Sequence, residues 1–254
     1  MSTGHLPLEG LPGEVQETLR AYVTETMELL GDVVEGIVLY GSAIRGEFLP
    51  GRSNLNLLFV TRTSQPDVLQ QYTKIHRRWS KEQIVVPLFV TERELPAAAS
   101  VFPLEYLEMQ AHHRLLAGRD PFVGLQIDPR HLAIQVEQGL HGNLIRLRQR
   151  YVEGGGTQEA VTILLPLSVT ALLPCLRGLQ RLLARPATQA ADVLLKDLET
   201  ALTVDLAGLH DAVHLKRGLI TPGPAEVPRL FQRYVASLEV LIERLGDLKR
   251  QGRV

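Results

Sequence analysis

Apolar residues recur along the chain in two different rhythms. Val15, Leu19, Tyr22, Val23, Met27 and Leu30 fall at helical spacing, which predicts an amphipathic first helix closed by Gly31 as C-cap. Residues 33–40, Val-Val-Glu-Gly-Ile-Val-Leu-Tyr, are β-branched and apolar and predict a buried strand. A loop rich in Gly, Ser and Pro covers 41–53, and Leu55 to Thr61 predicts a second strand. Pro66 can open a helix whose apolar face is Leu69, Tyr72, Ile75, His76 and Trp79. Ile84 to Thr91 reads as a third strand, and Arg114 to Gly118 as an edge strand.

The rhythm changes in the second half. Asp128 followed by Pro129 is an N-cap with Pro at the first helical position. Leu132, Val136, Leu140, Leu144, Leu147 and Tyr151 continue at helical spacing until Gly154-Gly155-Gly156. Leu-rich segments follow at 158–184, 189–202, 204–217 and 225–249, divided by Pro and Gly. The pattern predicts an α/β (α+β) first domain with a short mixed sheet, residues 1–122, and an all-α helical bundle, residues 123–254. The junction lies near 118–128.

Composition narrows the partners. Of 254 residues, 45% are hydrophobic and 22% charged, as in a globular protein, and the net charge of −1 draws the chain to neither nucleic acid nor anionic membrane. The single cysteine, Cys175, excludes an internal disulfide and suits a reducing cytoplasmic location. Met1 to Gly13 lacks the basic and apolar regions of a signal peptide. The charge-free run from Ala160 to Leu176 is shorter than the roughly 18 residues of a membrane span and contains Pro166 and Pro174, so a bundle helix is expected, with no membrane partner.

Candidate chemistry concentrates in the stretch from Tyr40 to Leu58: Tyr-Gly-Ser-Ala-Ile-Arg-Gly-Glu-Phe-Leu-Pro-Gly-Arg-Ser-Asn-Leu-Asn-Leu-Leu. A strand ends in Gly41-Ser42, Arg45 follows, and the next strand opens on Asn54 and Asn56, which alternation sends to one face beside the Gly-Ser loop. Over roughly residues 12–120 this resembles the polymerase-beta-like nucleotidyltransferases of the minimal and aminoglycoside-modifying types. The resemblance implies that Gly41 and Ser42 cradle a nucleoside triphosphate. It also implies an Asp-x-Asp pair for two Mg²⁺ ions where this chain has Asn54 and Asn56. The family's third carboxylate falls on the strand Ile84 to Val90, which has no acid; Glu82 and Glu92 flank it. Mg²⁺ prefers carboxylate oxygens, and two amides remove about two units of negative charge.

The reading is therefore a catalytically degenerate nucleotidyltransferase-like protein that binds a nucleotide or a protein partner, a homodimer included, without metal-dependent transfer. The binding residues would be Gly41, Ser42, Arg45, Ser53, Asn54 and Asn56, with no metal and no catalytic residue assigned. Each also has a structural reading: Gly41 and Ser42 as a turn, Arg45 paired with Glu47, the asparagines hydrogen-bonded to the loop. Two alternatives stand beside it. One is an active transferase using outside acids such as Glu47 or Glu105, and the other an antitoxin-like interaction module. The helical half invites comparison with HEPN ribonucleases, but no Arg is followed by His four to six residues later in 128–254. His112-His113, the runs His76-Arg77-Arg78 and Arg146, Arg148, Arg150, and the pair His210 and His214 are read as structural or solvated.

Overall fold

The computed structural model describes residues 6–254 except 46, 47, 49, 50, 52 and 187. The chain divides into two compact units, one ending at Ile127 and the other beginning at Asp128.

In the first unit, α1 (Gly13–Leu30) leads into β1 (Val34–Tyr40), and β2 (Asn56–Thr61), α2 (Pro66–Trp79) and β3 (Leu88–Thr91) follow. Two short helices, α3 (Leu95–Val101) and α4 (Pro103–Ala111), precede β4 (His113–Gly118). The sheet order is β3-β2-β1-β4. β1 is antiparallel to both β2 and β4, while β2 and β3 are parallel, so the sheet is mixed.

Strand alternation explains the two cores. Ile37, Leu39, Leu57 and Phe59 pack with Leu19, Tyr22 and Val23 of α1 and with Val68, Tyr72 and Ile75 of α2. Val38, Leu58, Val60 and Val90 face the other way, onto Leu95, Ala99, Tyr106 and Met109 of α3 and α4. Because both faces are covered, β1 and β2 read as continuous apolar runs. The first core is aromatic: Phe59 meets Tyr72 and Phe89 edge-on at 5.6 and 5.3 Å, and the Tyr22 and Tyr72 hydroxyls hydrogen-bond at 2.9 Å.

Several local expectations shift. The third strand begins only at Leu88, since Pro87 has no N–H for a ladder; Ile84 makes an isolated parallel bridge to Leu55, which itself precedes β2. In α2 the inward residue is Val68, and Leu69 is exposed. Gly31 caps α1 with right-handed backbone, φ −55°, not the left-handed form. Helices α3 and α4 had no counterpart in the periodicity reading, although Pro96 and Pro103 mark their first turns.

The second unit is all helical: α5 (Pro129–Glu153), α6 (Gln158–Leu182), α7 (Ala191–Leu202), α8 (Ala207–Lys216) and α9 (Val227–Arg250). The Asp128 carboxylate accepts from the Arg130 backbone N–H, and with the Arg130 side chain this holds its pKa down at about 2. α6 runs unbroken through Pro166 and Pro174 for 25 residues, so it is longer than its charge-free core. By length and composition it could cross a membrane, yet it packs on α5, α7, α8 and α9. A polar trio lies inside: Ser168 Oγ donates to Asn143 Oδ1 (2.8 Å) and accepts from the Tyr234 hydroxyl (2.9 Å), while Asn143 Nδ2 donates to the Ser168 carbonyl (3.1 Å). All three residues are buried, so the trio closes its own hydrogen bonds in an apolar interior.

Candidate functional site

β1 ends at Tyr40 in extended backbone, and Gly41 turns the chain at φ +85° into a single 3₁₀ turn, Gly41–Ala43. The Gly41 carbonyl accepts from the Ile44 and Arg45 N–H groups at 3.1 and 3.3 Å. Ala43 is buried in the first core and anchors the turn from below, while Gly41, Ser42 and Arg45 are half-buried.

The register pairs Tyr40 with Asn56. Asn56 therefore stands against the turn: a Cβ on Gly41 would lie 2.9 Å from Asn56 Nδ2. This is a close approach as well as a positive φ, two independent reasons for glycine. Asn54 is exposed just before the strand. The segment leading to it is fixed from the side, because Gln83 Nε2 donates to the Ser53 carbonyl (2.5 Å) and the Leu55 N–H to the Gln83 carbonyl (2.8 Å). Gly41 and Asn56 are thus brought into contact, Ser42 and Arg45 continue the same turn, and Ser53 and Asn54 lie in the strand approach. Glu47, proposed as an outside acid, lies outside the described residues; Glu105 is exposed in the first turn of α4.

Asn56 shares its face of β2 with Leu58 and Val60, the α3–α4 side. Tyr40 and His113, paired across β1 and β4, lie on this face too. Burial, with the neighbouring Tyr106 phenol, raises the Tyr40 pKa, and burial raises that of Tyr106. On the β3 side, Leu88 pairs with Leu58, and Val86 and Leu88 are both largely exposed. The flank where the resemblance puts a third carboxylate is therefore apolar. Glu92 lies beyond the far end of β3 beside Arg119, in a network where Glu35 binds Arg62 and Arg119 (2.8 Å to the latter). These arginines hold the Glu35 carboxyl below its ordinary pKa. Among the described residues, no group of three or more His, Cys, Asp or Glu is placed to hold a metal ion.

The weaker candidates find structural partners. His112 is the C-cap of α4, and β4 begins at His113. The His113 ring is engaged at both nitrogens, by the Met109 carbonyl (2.9 Å) and Asp120 (3.2 Å), and meets Phe122 edge-on. Arg78 pairs with Glu25, Arg148 with Glu239 and Arg150 with Glu153. His210 faces Glu199 at 3.2 Å, and the other oxygen of that carboxylate accepts from the Leu206 N–H, which ties the turn between α7 and α8. Sequence reading missed the Tyr40–Tyr106–His113 grouping; the alternation that places Tyr40 beside Asn56 was the available signal.

No family model matches the chain, and no curated protein sequence matches it. Among solved structures, the crystal structure of spectinomycin adenyltransferase AAD(9) from Enterococcus faecialis with ATP and spectinomycin matches at a TM-score of 0.48 and 10% identity, over 91% of this chain and 99% of that one. A likeness of that size leaves function to be argued from this chain's own residues.

Proposed function

We propose that the first unit is a nucleotidyltransferase-like module that binds a nucleoside triphosphate at the Gly41–Ser42 turn without metal-dependent nucleotidyl transfer. The observation that carries this reading is the contact between Gly41 and Asn56: the residue standing over the turn is a neutral amide. Its oxygen and N–H groups can hydrogen-bond a phosphate or ribose directly, where a carboxylate would need a cation between itself and the phosphate. Donors for anionic oxygens would come from N–H groups of the turn other than those of Ile44 and Arg45, which the Gly41 carbonyl holds. The exposed Val86 and Leu88 give the flank no acid with which to hold Mg²⁺.

Isothermal titration of the purified chain with ATP, GTP, CTP and UTP, with and without Mg²⁺, tests this. Binding indifferent to Mg²⁺ is the expected result. Binding that requires Mg²⁺, or nucleotidyl transfer to any acceptor, overturns the degenerate reading. No binding of any of the four overturns the nucleotide site.

A further inference from the structure

Beside the Gly41–Ser42 turn stand two phenols that the packing of the first unit leaves without a hydrogen bond. Tyr40 is the last residue of β1, directly before Gly41, and its cross-strand partners are Asn56 and His113. Such partners point the same way, with Cβ atoms about 5 Å apart, so Asn56, Tyr40 and His113 form one row across the α3–α4 face. Tyr106 reaches that face from α4, packed with Val38, Leu58 and Met109 and close enough to act on the charge of the Tyr40 phenol. Tyr40 is half-buried, and Tyr106 is only 6% exposed. Neither hydroxyl bonds to a described residue, and neither is sealed from solvent. Elsewhere the buried tyrosines are paired, Tyr22 with Tyr72 and Tyr234 with Ser168. A buried ring whose hydroxyl is open and unpartnered holds a donor and acceptor ready for a ligand.

The chemistry of the row selects what it can take. It has no carboxylate, lysine or arginine, and both nitrogens of His113 are spent on Met109 and Asp120. Arg114, next along β4, serves the opposite face, where it donates to the Pro7 and Glu9 carbonyls (2.9 and 2.6 Å). Burial keeps both phenols protonated at neutral pH, so each retains its donor. A phenol both donates and accepts, and so does an alcohol, so the two match without any counter-charge. We propose that Tyr40 and Tyr106 hold the vicinal 2′- and 3′-hydroxyls of the ribose of a nucleoside triphosphate, and so select ribonucleotides. The assignment rests on the triphosphate lying at the Gly41–Ser42 turn. With the phosphates there, the sugar is the next part of the ligand, and Tyr40 adjoins both the turn and Asn56.

Isothermal titration of the full chain with ATP, GTP, CTP and UTP, each beside its 2′,3′-dideoxy counterpart, tests the proposal. The ribonucleotide is expected to bind about a hundredfold tighter, at about tenfold per hydroxyl. Tyr40→Phe and Tyr106→Phe remove hydroxyls that have no partner in the chain, so the fold is kept, as Trp79 fluorescence in urea checks. Each single variant lowers the ribo-to-dideoxy ratio about tenfold, and the double variant brings it to about one. Affinity for the dideoxynucleotide stays that of the wild type, which a loss of packing would not allow. Equal wild-type affinity for ribo- and dideoxynucleotide overturns the proposal and leaves the nucleotide site standing, and so does a preference that survives in the double variant. No binding of any nucleotide overturns both. If one variant does not fold, the other and the wild-type ratio decide.

Discussion

Replacing Gly41 with alanine tests the geometry on which the candidate site rests. Gly41 has φ +85°, where a residue with a Cβ is strained by about 1–2 kcal/mol. The new Cβ would also meet Asn56 Nδ2 at 2.9 Å, and moving the amide off its rotamer costs about 0.5–1 kcal/mol more. Gly41→Ala is therefore expected to destabilise the first unit by about 2 kcal/mol. Trp79 is the one tryptophan and belongs to that unit, packed edge-on against Tyr22 at 6.0 Å and donating to Glu25, so its fluorescence in a urea titration reports this unit's unfolding. Asn56→Ala in the Gly41→Ala background removes the steric share and leaves the backbone share, a coupling of about 0.5–1 kcal/mol in a double-mutant cycle. A neutral or stabilising Gly41→Ala would refute the reading of this turn, and a coupling of zero would remove the contact with Asn56.

Other outcomes follow from the same coordinates. Placing acids at both positions, Asn54→Asp with Asn56→Asp, is expected to make the proposed nucleotide binding depend on Mg²⁺, read by titration with and without the metal; unchanged metal indifference would show that these positions do not face the phosphates. Ser168→Ala leaves Asn143 Oδ1 and the Tyr234 hydroxyl without their buried partner and is expected to cost about 2–3 kcal/mol in helix unfolding followed by circular dichroism. Burial pushes the Tyr72 phenol up to about 12 and those of Tyr22 and Tyr234 higher still. A folded-state pKa raised above the unfolded one gives stability that is complete below the ordinary phenol range and is lost as pH rises through it, because the unfolded chain then releases protons that the folded chain keeps. Ultraviolet titration should therefore show these tyrosines ionising only with alkaline unfolding; smooth ionisation in the folded chain would contradict their burial.

How much of this was readable in the residues depends on the range over which each signal acts. The α1, β1, β2 and α5 segments were legible because each is a local pattern: helical spacing of Leu19, Tyr22 and Val23, apolar continuity at 36–40, an Asp-Pro start at 128. The Gly-Ser turn and the two asparagines were legible as a motif, and alternation placed Asn56 beside it. Helices α3 and α4 were not, because at 7 and 9 residues they are too short for a helical period to repeat clearly. The third strand was overextended because apolar composition does not reveal that Pro87 interrupts the ladder.

What the sequence alone determined is the order of most elements and the presence of amides, not acids, at positions 54 and 56, since both are written in local residue identity. Only the tertiary structure decided which groups meet. It put Asn56 Nδ2 against Gly41, spent both nitrogens of His113 on Met109 and Asp120, tied His210 to Glu199, and left one face of α6 uncovered. Those contacts join residues far apart in the chain, and strand register and helix packing fix them, which no local pattern encodes.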